Sequence, residues 1–353
     1  MTTTTVAIIH PAAGAACDLR GRALRDLRLS VTDRCNFRCT YCMPRERFGR
    51  EHAFLPRSAL LEFDEIVRIA RVFVELGVRK IRLTGGEPLL RRGLPDLVAR
   101  LRSLDPALDL ALTTNGTLLR ALAPALAAAG LTRVTVSLDS LDDDVFRVMT
   151  DSPFSVSDVL RGIAAATKAG LGPIKINTVV RRGLNDQPGP GGFLALADHF
   201  RGTGQIVRFI EYMDVGATNG WAGEEVVPAA EIVGALDDRF GLEPVDAAYP
   251  GEVAGRYRYR DGAGEVGMIG SVTRPFCGDC TRARLAADGQ LYACLFAAFG
   301  TDLRGPLRSG LGDDQLESLI RKWWNGRDDR YSELRGHRSV SGPDRIEMSY
   351  VGG

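Results

Sequence analysis

An α/β fold, a partial (six-unit) TIM-like barrel with a smaller C-terminal α+β module, is predicted by three observations on this 353-residue chain. Six strand-like runs alternate with helix-like runs between Leu27 and Tyr212. Cysteine, glycine and polar residues gather at or just past the ends of those runs, at Cys35, Gly85-Gly86-Glu87, Thr114-Asn115, Ser137–Asp139 and Glu211–Asp214. After Val227 the alternation breaks. Strands separated by helices pair in parallel through right-handed crossovers. Six units are too few for a closed barrel of about eight, but they suit an open one, with chemistry at the carboxyl ends of the strands.

In chain order, strands are expected at Leu27–Thr32, Lys80–Thr84, Asp109–Thr113, Arg133–Leu138, Ile174–Val180 and Ile206–Glu211. Helices are expected at Phe63–Leu76, Leu94–Leu104, Leu118–Ala129, Val156–Ala169 and Gly192–Phe200. In the first helix Ile66, Val67, Ala70, Phe73 and Val74 recur at the spacing of one buried face. Gly77, Gly130 and Gly170 follow three of the helices as stops. Gln187–Gly192, rich in Pro and Gly, reads as a loop. Further on come short strands near Tyr257–Arg260 and Val266–Ile269 and a helix over Asp314–Trp324. A boundary at Asp238 gives a flexible tail over 1–20, a barrel over 21–238 and a C-terminal module over 239–353.

Composition excludes some partners. Lys+Arg is 45 against Asp+Glu 44, a net charge of +1, so global charge makes no case for a nucleic-acid polymer or an anionic membrane. No apolar run approaches the roughly 18 residues of a membrane span. The apolar piece Val6–Ile9 lacks the basic stretch that opens a signal peptide. A cytoplasmic location is the expectation.

Seven cysteines, an odd number without a secretory leader, argue against a disulfide framework. Six form two triads: Cys35, Cys39 and Cys42, then Cys277, Cys280 and Cys294. Cys17 stands apart as an incidental thiol. Three thiolates hold a 4Fe–4S cluster with one iron left open. For the first triad the nearest following histidine, His52, lies ten residues past Cys42, which is not an ordinary zinc spacing. For the second, zinc with His337 as a distant ligand stays open, because thiolates suit both metals. Gly85-Gly86-Glu87-Pro88 closes the second strand, and glycine lets a backbone approach a ligand closely.

Cys-x3-Cys-x2-Cys with Tyr41 before the last cysteine resembles the signature of the radical S-adenosylmethionine superfamily. From about Gly21 to Gly353 the chain resembles the GTP 3′,8-cyclase family of molybdenum cofactor biosynthesis. The motifs are Asp26–Pro44, Lys80–Pro88, Leu112–Gly116, Val136–Asp139, Arg208–Asp214, Cys277–Arg284 and Gly352-Gly353. The resemblance implies two 4Fe–4S clusters on the two triads, with S-adenosyl-L-methionine on the open iron of the first. It implies S-adenosylmethionine contacts at Tyr41, Gly86, Ser137 and Met213, with Asn177 a further candidate. It implies GTP contacts at Arg28, Arg82, Thr113, Lys175, Arg208, Arg282, Ala283 and Arg284, with Lys80 a further candidate and Arg282 and Arg284 as the catalytic pair. The implied reaction takes hydrogen from C3′ of GTP and closes C3′ onto C8, giving (8S)-3′,8-cyclo-7,8-dihydroguanosine 5′-triphosphate. The guanine edge would meet the second cluster and the Gly-Gly tail would insert toward the active site. An electron donor, a downstream cyclic pyranopterin synthase and a second copy in a homodimer are the implied partners.

These residue types suit that job. GTP is polyanionic while the chain is nearly neutral, so cations must cluster locally. Arg282 and Arg284 flank Ala283, and in a strand both point to one face. Arg28 and Arg82 lie within strands, where a charge needs a partner. Taken singly, Met213 also reads as core filler and Ser137 as a strand end. Two other classes fit less well: a peptide-modifying radical enzyme with an auxiliary cluster, and a zinc-stabilised binding module.

Overall fold

The computed structural model describes residues 16–249, 251–335 and 345–352. The chain runs β1 (Asp26–Ser30), α1 (Phe63–Glu75), β2 (Lys80–Thr84), α2 (Leu94–Arg102), β3 (Asp109–Thr114), α3 (Leu119–Ala128), β4 (Arg133–Ser137), α4 (Asp143–Thr150), α5 (Val156–Lys168), β5 (Lys175–Val180), α6 (Phe193–Phe200) and β6 (Ile206–Glu211). It continues through α7 (Ala229–Phe240), β7 (Leu242–Val245), β8 (Gly255–Tyr259), β9 (Glu265–Ile269), β10 (Arg282–Leu285), β11 (Gln290–Tyr292), β12 (Thr301–Asp302), α8 (Arg304–Arg308), α9 (Asp313–Asn325), α10 (Tyr331–Leu334) and α11 (Met348–Val351). The six predicted barrel strands and five predicted helices form within a residue or two of their expected ends.

Among the described residues all twelve strands share one sheet, in the order β12-β11-β10-β1-β2-β3-β4-β5-β6-β9-β8-β7. Strands β1 to β6 are parallel neighbours. The later strands extend both edges: β10 pairs parallel with β1, and β9 pairs parallel with β6. This corrects the boundary at Asp238, which lies inside α7. The C-terminal part continues the barrel sheet at its two edges. Glu211, buried at the end of β6, fastens it there by accepting from Ala229 N at 2.6 Å, Val272 N at 2.6 Å and Thr273 N at 2.8 Å. Helix α4 also escapes the sequence reading. It is acidic in its first turn and capped by Asp142, which accepts from Asp144 N at 2.9 Å.

Of the expected tail, residues 16–18 are packed, while Leu19 and Arg20 are exposed. Ala16 and Asp18 are buried, Cys17 bridges to Ala23, and Ala16 N donates to Leu76 O at 3.3 Å. Residues 1–15 lie outside the described residues, as do His337 and Gly353.

Strand parity divides the barrel into an apolar shell and a polar lumen. Leu27, Leu29, Ile81, Leu83, Leu110, Leu112, Val134, Val136, Ile176, Val207 and Phe209 point outward, are almost wholly buried and join the core beneath the helices. The alternate positions, including Asp26, Arg28, Lys80, Arg82, Thr113, Arg133, Lys175, Asn177 and Arg208, line an internal cavity. This follows from the two-residue period of a strand. A closed barrel fills its lumen with branched apolar side chains; here the lumen is lined largely by charged and polar ones.

Candidate active site

The loop after β1 carries the first cysteine triad and is docked on the end of β2. Val31 N donates to Thr84 O at 3.0 Å, Gly86 N to Thr32 O at 2.9 Å and Glu87 N to Arg34 O at 2.8 Å. Gly85 adopts φ +137°, and a Cβ there would be driven into Thr32 O; one at Gly86 would strike Arg34 O. The two glycines line the cavity as expected, and their lack of side chains also lets the cysteine loop close against β2. Arg38 ties that loop from within, donating to Cys35 O at 2.8 Å, Phe37 O at 2.7 Å and Phe48 O at 2.7 Å.

Cys35, Cys39 and Cys42 then line one cavity with Tyr41, Gly86, Ser137, Asn177 and Met213. Burial, helped by Glu87, pushes the Cys35 thiol up to about 12. Burial and the neighbouring thiols raise Cys39 and Cys42. Three such sulfurs become thiolates only when a metal neutralises them. Three thiols lining one cavity are the donor set that a 4Fe–4S cluster takes with one iron left open, so the residues fit it. Tyr41 donates to Asp139 Oδ2 at 2.7 Å, and Val179 N holds the other carboxylate oxygen at 2.8 Å. Burial still lifts Asp139 to about 6.

The second cavity holds Cys277, Cys280 and Cys294 at its edge and nine cationic side chains against three acidic ones. Register makes the array. Arg284, Arg28 and Arg82 are paired neighbours across β10, β1 and β2, and Arg282, Asp26 and Lys80 form the adjacent row. Asp26 pairs with Lys80 at 2.5 Å and accepts from Thr281 at 2.8 Å. Arg82 donates to Thr113 Oγ1 at 2.9 Å and Thr135 Oγ1 at 3.0 Å, and Arg208 donates to Asn177 Oδ1 at 2.7 Å. Nε of Arg208 is buried with no hydrogen-bond partner among the described residues. Burial, then Arg284, Arg282 and Arg82, drive the Arg28 value well down. Burial, then Arg208 and Arg133, bring Lys175 to about 8. Buried like charges of this density fit a polyanion.

Thr113, Asn177, Ile210 and Met213 line both cavities, so the two cavities adjoin at a common wall. The C-terminal segment reaches the same place. Met348 and Ser349 line the first cavity, and Gly352 O accepts from Arg284.

Of the expected GTP contacts, Arg28, Arg82, Thr113, Lys175, Arg208, Arg282 and Arg284 face the second cavity, as does Lys80. Ala283 is the exception: its side chain points into the core, as parity between two inward arginines requires. The sequence reading missed Arg133, which shares the inward parity of Thr135 and could have been found from it. It also missed Tyr249, Glu252, Arg327 and Asp329, which local pattern does not flag.

A half barrel with a glycine-docked loop of three thiols is the architecture of radical S-adenosylmethionine proteins. Residues 29–189 match the Radical SAM superfamily, and residues 205–333 match the family described as Molybdenum Cofactor Synthesis C. The GTP 3′,8-cyclase of Acidothermus cellulolyticus is 52% identical over 95% of this chain and 98% of its own length. That of Xanthomonas axonopodis pv. citri is 51% identical over 95% and 98%, and that of Staphylococcus aureus (strain MRSA252) 46% over 95% and 98%. Among solved structures, Streptococcus suis SuiB bound to S-adenosylmethionine superposes with a TM-score of 0.60 at 14% identity, covering 95% of this chain and 79% of SuiB. That likeness concerns the fold alone. Within the radical superfamily, this chain belongs to the GTP 3′,8-cyclase family.

Gly85→Ala tests the docking of the loop. Reconstituted variant is expected to lose iron at the first triad and to unfold at lower temperature, by about 1–3 kcal/mol for enforced strain at a positive-φ glycine. Iron analysis and thermal denaturation read both.

Proposed function

We propose that the chain converts GTP to (8S)-3′,8-cyclo-7,8-dihydroguanosine 5′-triphosphate in molybdenum cofactor biosynthesis, with S-adenosylmethionine seated at the first thiol triad and GTP in the cationic chamber. The observation that supports this reading is the common wall of the two cavities, which would set a radical source beside a polyanion site. When bound, the first cluster supplies the electron that splits the sulfonium and frees a 5′-deoxyadenosyl radical.

The residues of the chain do the rest by holding and shielding. Cys35, Cys39 and Cys42 would ligate that cluster, with Tyr41, Gly86, Ser137 and Met213 around the S-adenosylmethionine. Cys277, Cys280 and Cys294 would hold a second 4Fe–4S cluster at the guanine end. Arg28, Arg82, Lys175 and Arg208 would grip the triphosphate and ribose, and Arg282 and Arg284 would hold the nucleotide between the clusters. Charge-assisted bonds from rigid strands fix C3′ toward the first cavity and keep water out. The segment 345–352 closes the chamber through Arg284 and Gly352. An external electron donor, a cyclic pyranopterin synthase that takes the product, and a second copy in a homodimer complete the proposed setting in the cytoplasm. Among the described residues no helix is long and apolar enough to cross a membrane.

The reaction is tested by loading the protein without oxygen, adding S-adenosylmethionine, reductant and GTP, and weighing the nucleotide. A cyclised product isomeric with GTP together with 5′-deoxyadenosine is expected. Unchanged GTP beside 5′-deoxyadenosine from fully loaded protein would refute the GTP assignment. Arg28→Met is expected to weaken GTP binding roughly tenfold to hundredfold, the loss of a charged hydrogen bond. It should at the same time raise the melting temperature of the nucleotide-free protein, because it removes one of several repelling buried cations. Calorimetry with and without GTP reads both signs. GTP affinity is also expected to fall as pH rises through about 8, where Lys175 loses its proton. The folded value lies below that of the unfolded chain, so the nucleotide-free protein should gain stability across the same rise. Titrations at about pH 7.5 and about pH 9 check this, and Lys175→Met should flatten the affinity profile.

A further inference from the structure

Beside the second cysteine triad lies a buried charge network, of which Arg327 and Asp329 reach the cationic cavity while Arg22 and Asp18 stand behind them. Arg22, 4% exposed, donates from Nη1 to Cys277 O at 2.8 Å and Asp329 O at 2.9 Å, while its Nε meets Asp18 Oδ2 at 2.6 Å. Arg327, 5% exposed, donates from Nη1 to Cys280 O at 2.6 Å and from Nε to both carboxylate oxygens of Asp329 at 2.9 Å. Arg327 also lies 3.6 Å from Asp18 and over the Trp324 ring at 4.6 Å. The carbonyls of two of the three cysteines are therefore each capped by a guanidinium rooted in the core. From the cavity side Arg282 reaches Cys280 Sγ at 3.4 Å through Nε and Nη2.

A loop needs no buried ions to be anchored. Backbone or amide hydrogen bonds would do so without the desolvation of four charges, and buried ion pairs are on balance a weak source of stability. Their sign and placement have another consequence. Arg282 and Arg327 set two positive charges against Cys280, and Asp329 sets a negative one against Arg327, 2.9 Å from its Nε. Reduction adds a negative charge to an iron–sulfur cluster, and fixed charges in a low-dielectric surround shift its potential accordingly.

We propose that Arg327 and Asp329, braced by Arg22 and Asp18, are positioning residues that set the reduction potential of the second cluster, Arg327 raising it and Asp329 lowering it. The inference rests on the reading that Cys277, Cys280 and Cys294 hold a 4Fe–4S cluster. It gives the packed N-terminal segment a role: Asp18 and Arg22 hold the tuning pair in place whether or not nucleotide is bound.

The test uses the full-length chain with Cys35, Cys39 and Cys42 changed to Ala, so that only the second site can load. After anaerobic reconstitution, iron and sulfide are counted and the cluster is titrated redoxically by electron paramagnetic resonance. About four irons and four sulfides per chain are expected. In that background Arg327→Gln should move the reduced-to-oxidised ratio at a fixed potential about tenfold toward oxidised, about 59 mV for a one-electron couple. Asp329→Asn should move it the opposite way, and Arg327→Lys, which keeps the charge, should restore most of the Arg327→Gln shift. If Arg327→Gln does not load, Asp329→Asn and Arg327→Lys still give the sign. Potentials that stay fixed, or that move in one direction in both variants, while thermal stability falls would reduce the network to a prop and overturn the inference. A parent that binds no iron would overturn the cluster reading beneath it, whereas a loaded parent with indifferent variants overturns the tuning alone.

Discussion

Arg28 stands on β1 between Arg284 on one neighbouring strand and Arg82 on the other, three guanidiniums in a single row of a parallel sheet. Among the described residues no acidic side chain forms a salt bridge with that row. Asp26, in the adjacent row, is already shared between Lys80 and Thr281. The arrangement is unfavourable in an empty protein and favourable around a polyanion, so the chamber stores binding energy as unrelieved repulsion. The rest of the structure is organised so that this row can exist. The outward parity of the same strands is wholly apolar and supplies the core that holds charged lumen residues in place.

The edges of the sheet matter as much as its centre. Strand β10 brings Arg282, Arg284 and the second cysteine triad beside β1, and β9 with Glu211 anchors the other edge. A C-terminal module whose strands extend the barrel sheet at both edges explains how two thiol triads more than two hundred residues apart in sequence line cavities that share walls at Thr113, Asn177, Ile210 and Met213. The C-terminal segment lies across the same space, with Arg284 bonded to Gly352.

Much of this was readable from the residues. The six barrel strands and their helices carry strong periodic patterns, and both thiol triads announce themselves by spacing. Arg282 and Arg284 were placed on one face correctly by alternation, and the same rule that puts them inward turns Ala283 into the core. Other features depend on contacts distant in sequence and leave no local trace. The pairing of β10 with β1 and of β9 with β6 hid behind the break in alternation, so the boundary was set inside α7. Asp18 looked like part of a loose tail because its distant partner, Arg327, lies some three hundred residues away. The glycines of Gly85-Gly86 were expected to face a ligand; they also admit the backbone of the cysteine loop, which spacing alone does not reveal.

The common wall between the two cavities is the central structural claim, and hydrogen transfer across it tests that claim most directly. Loaded protein is incubated with S-adenosylmethionine, reductant and GTP deuterated at C3′, and the 5′-deoxyadenosine is weighed. Transfer of one deuterium per turnover is the expected result. 5′-Deoxyadenosine free of deuterium, formed alongside consumed GTP, would mean that the radical and the ribose do not meet in the space described, and would contradict it.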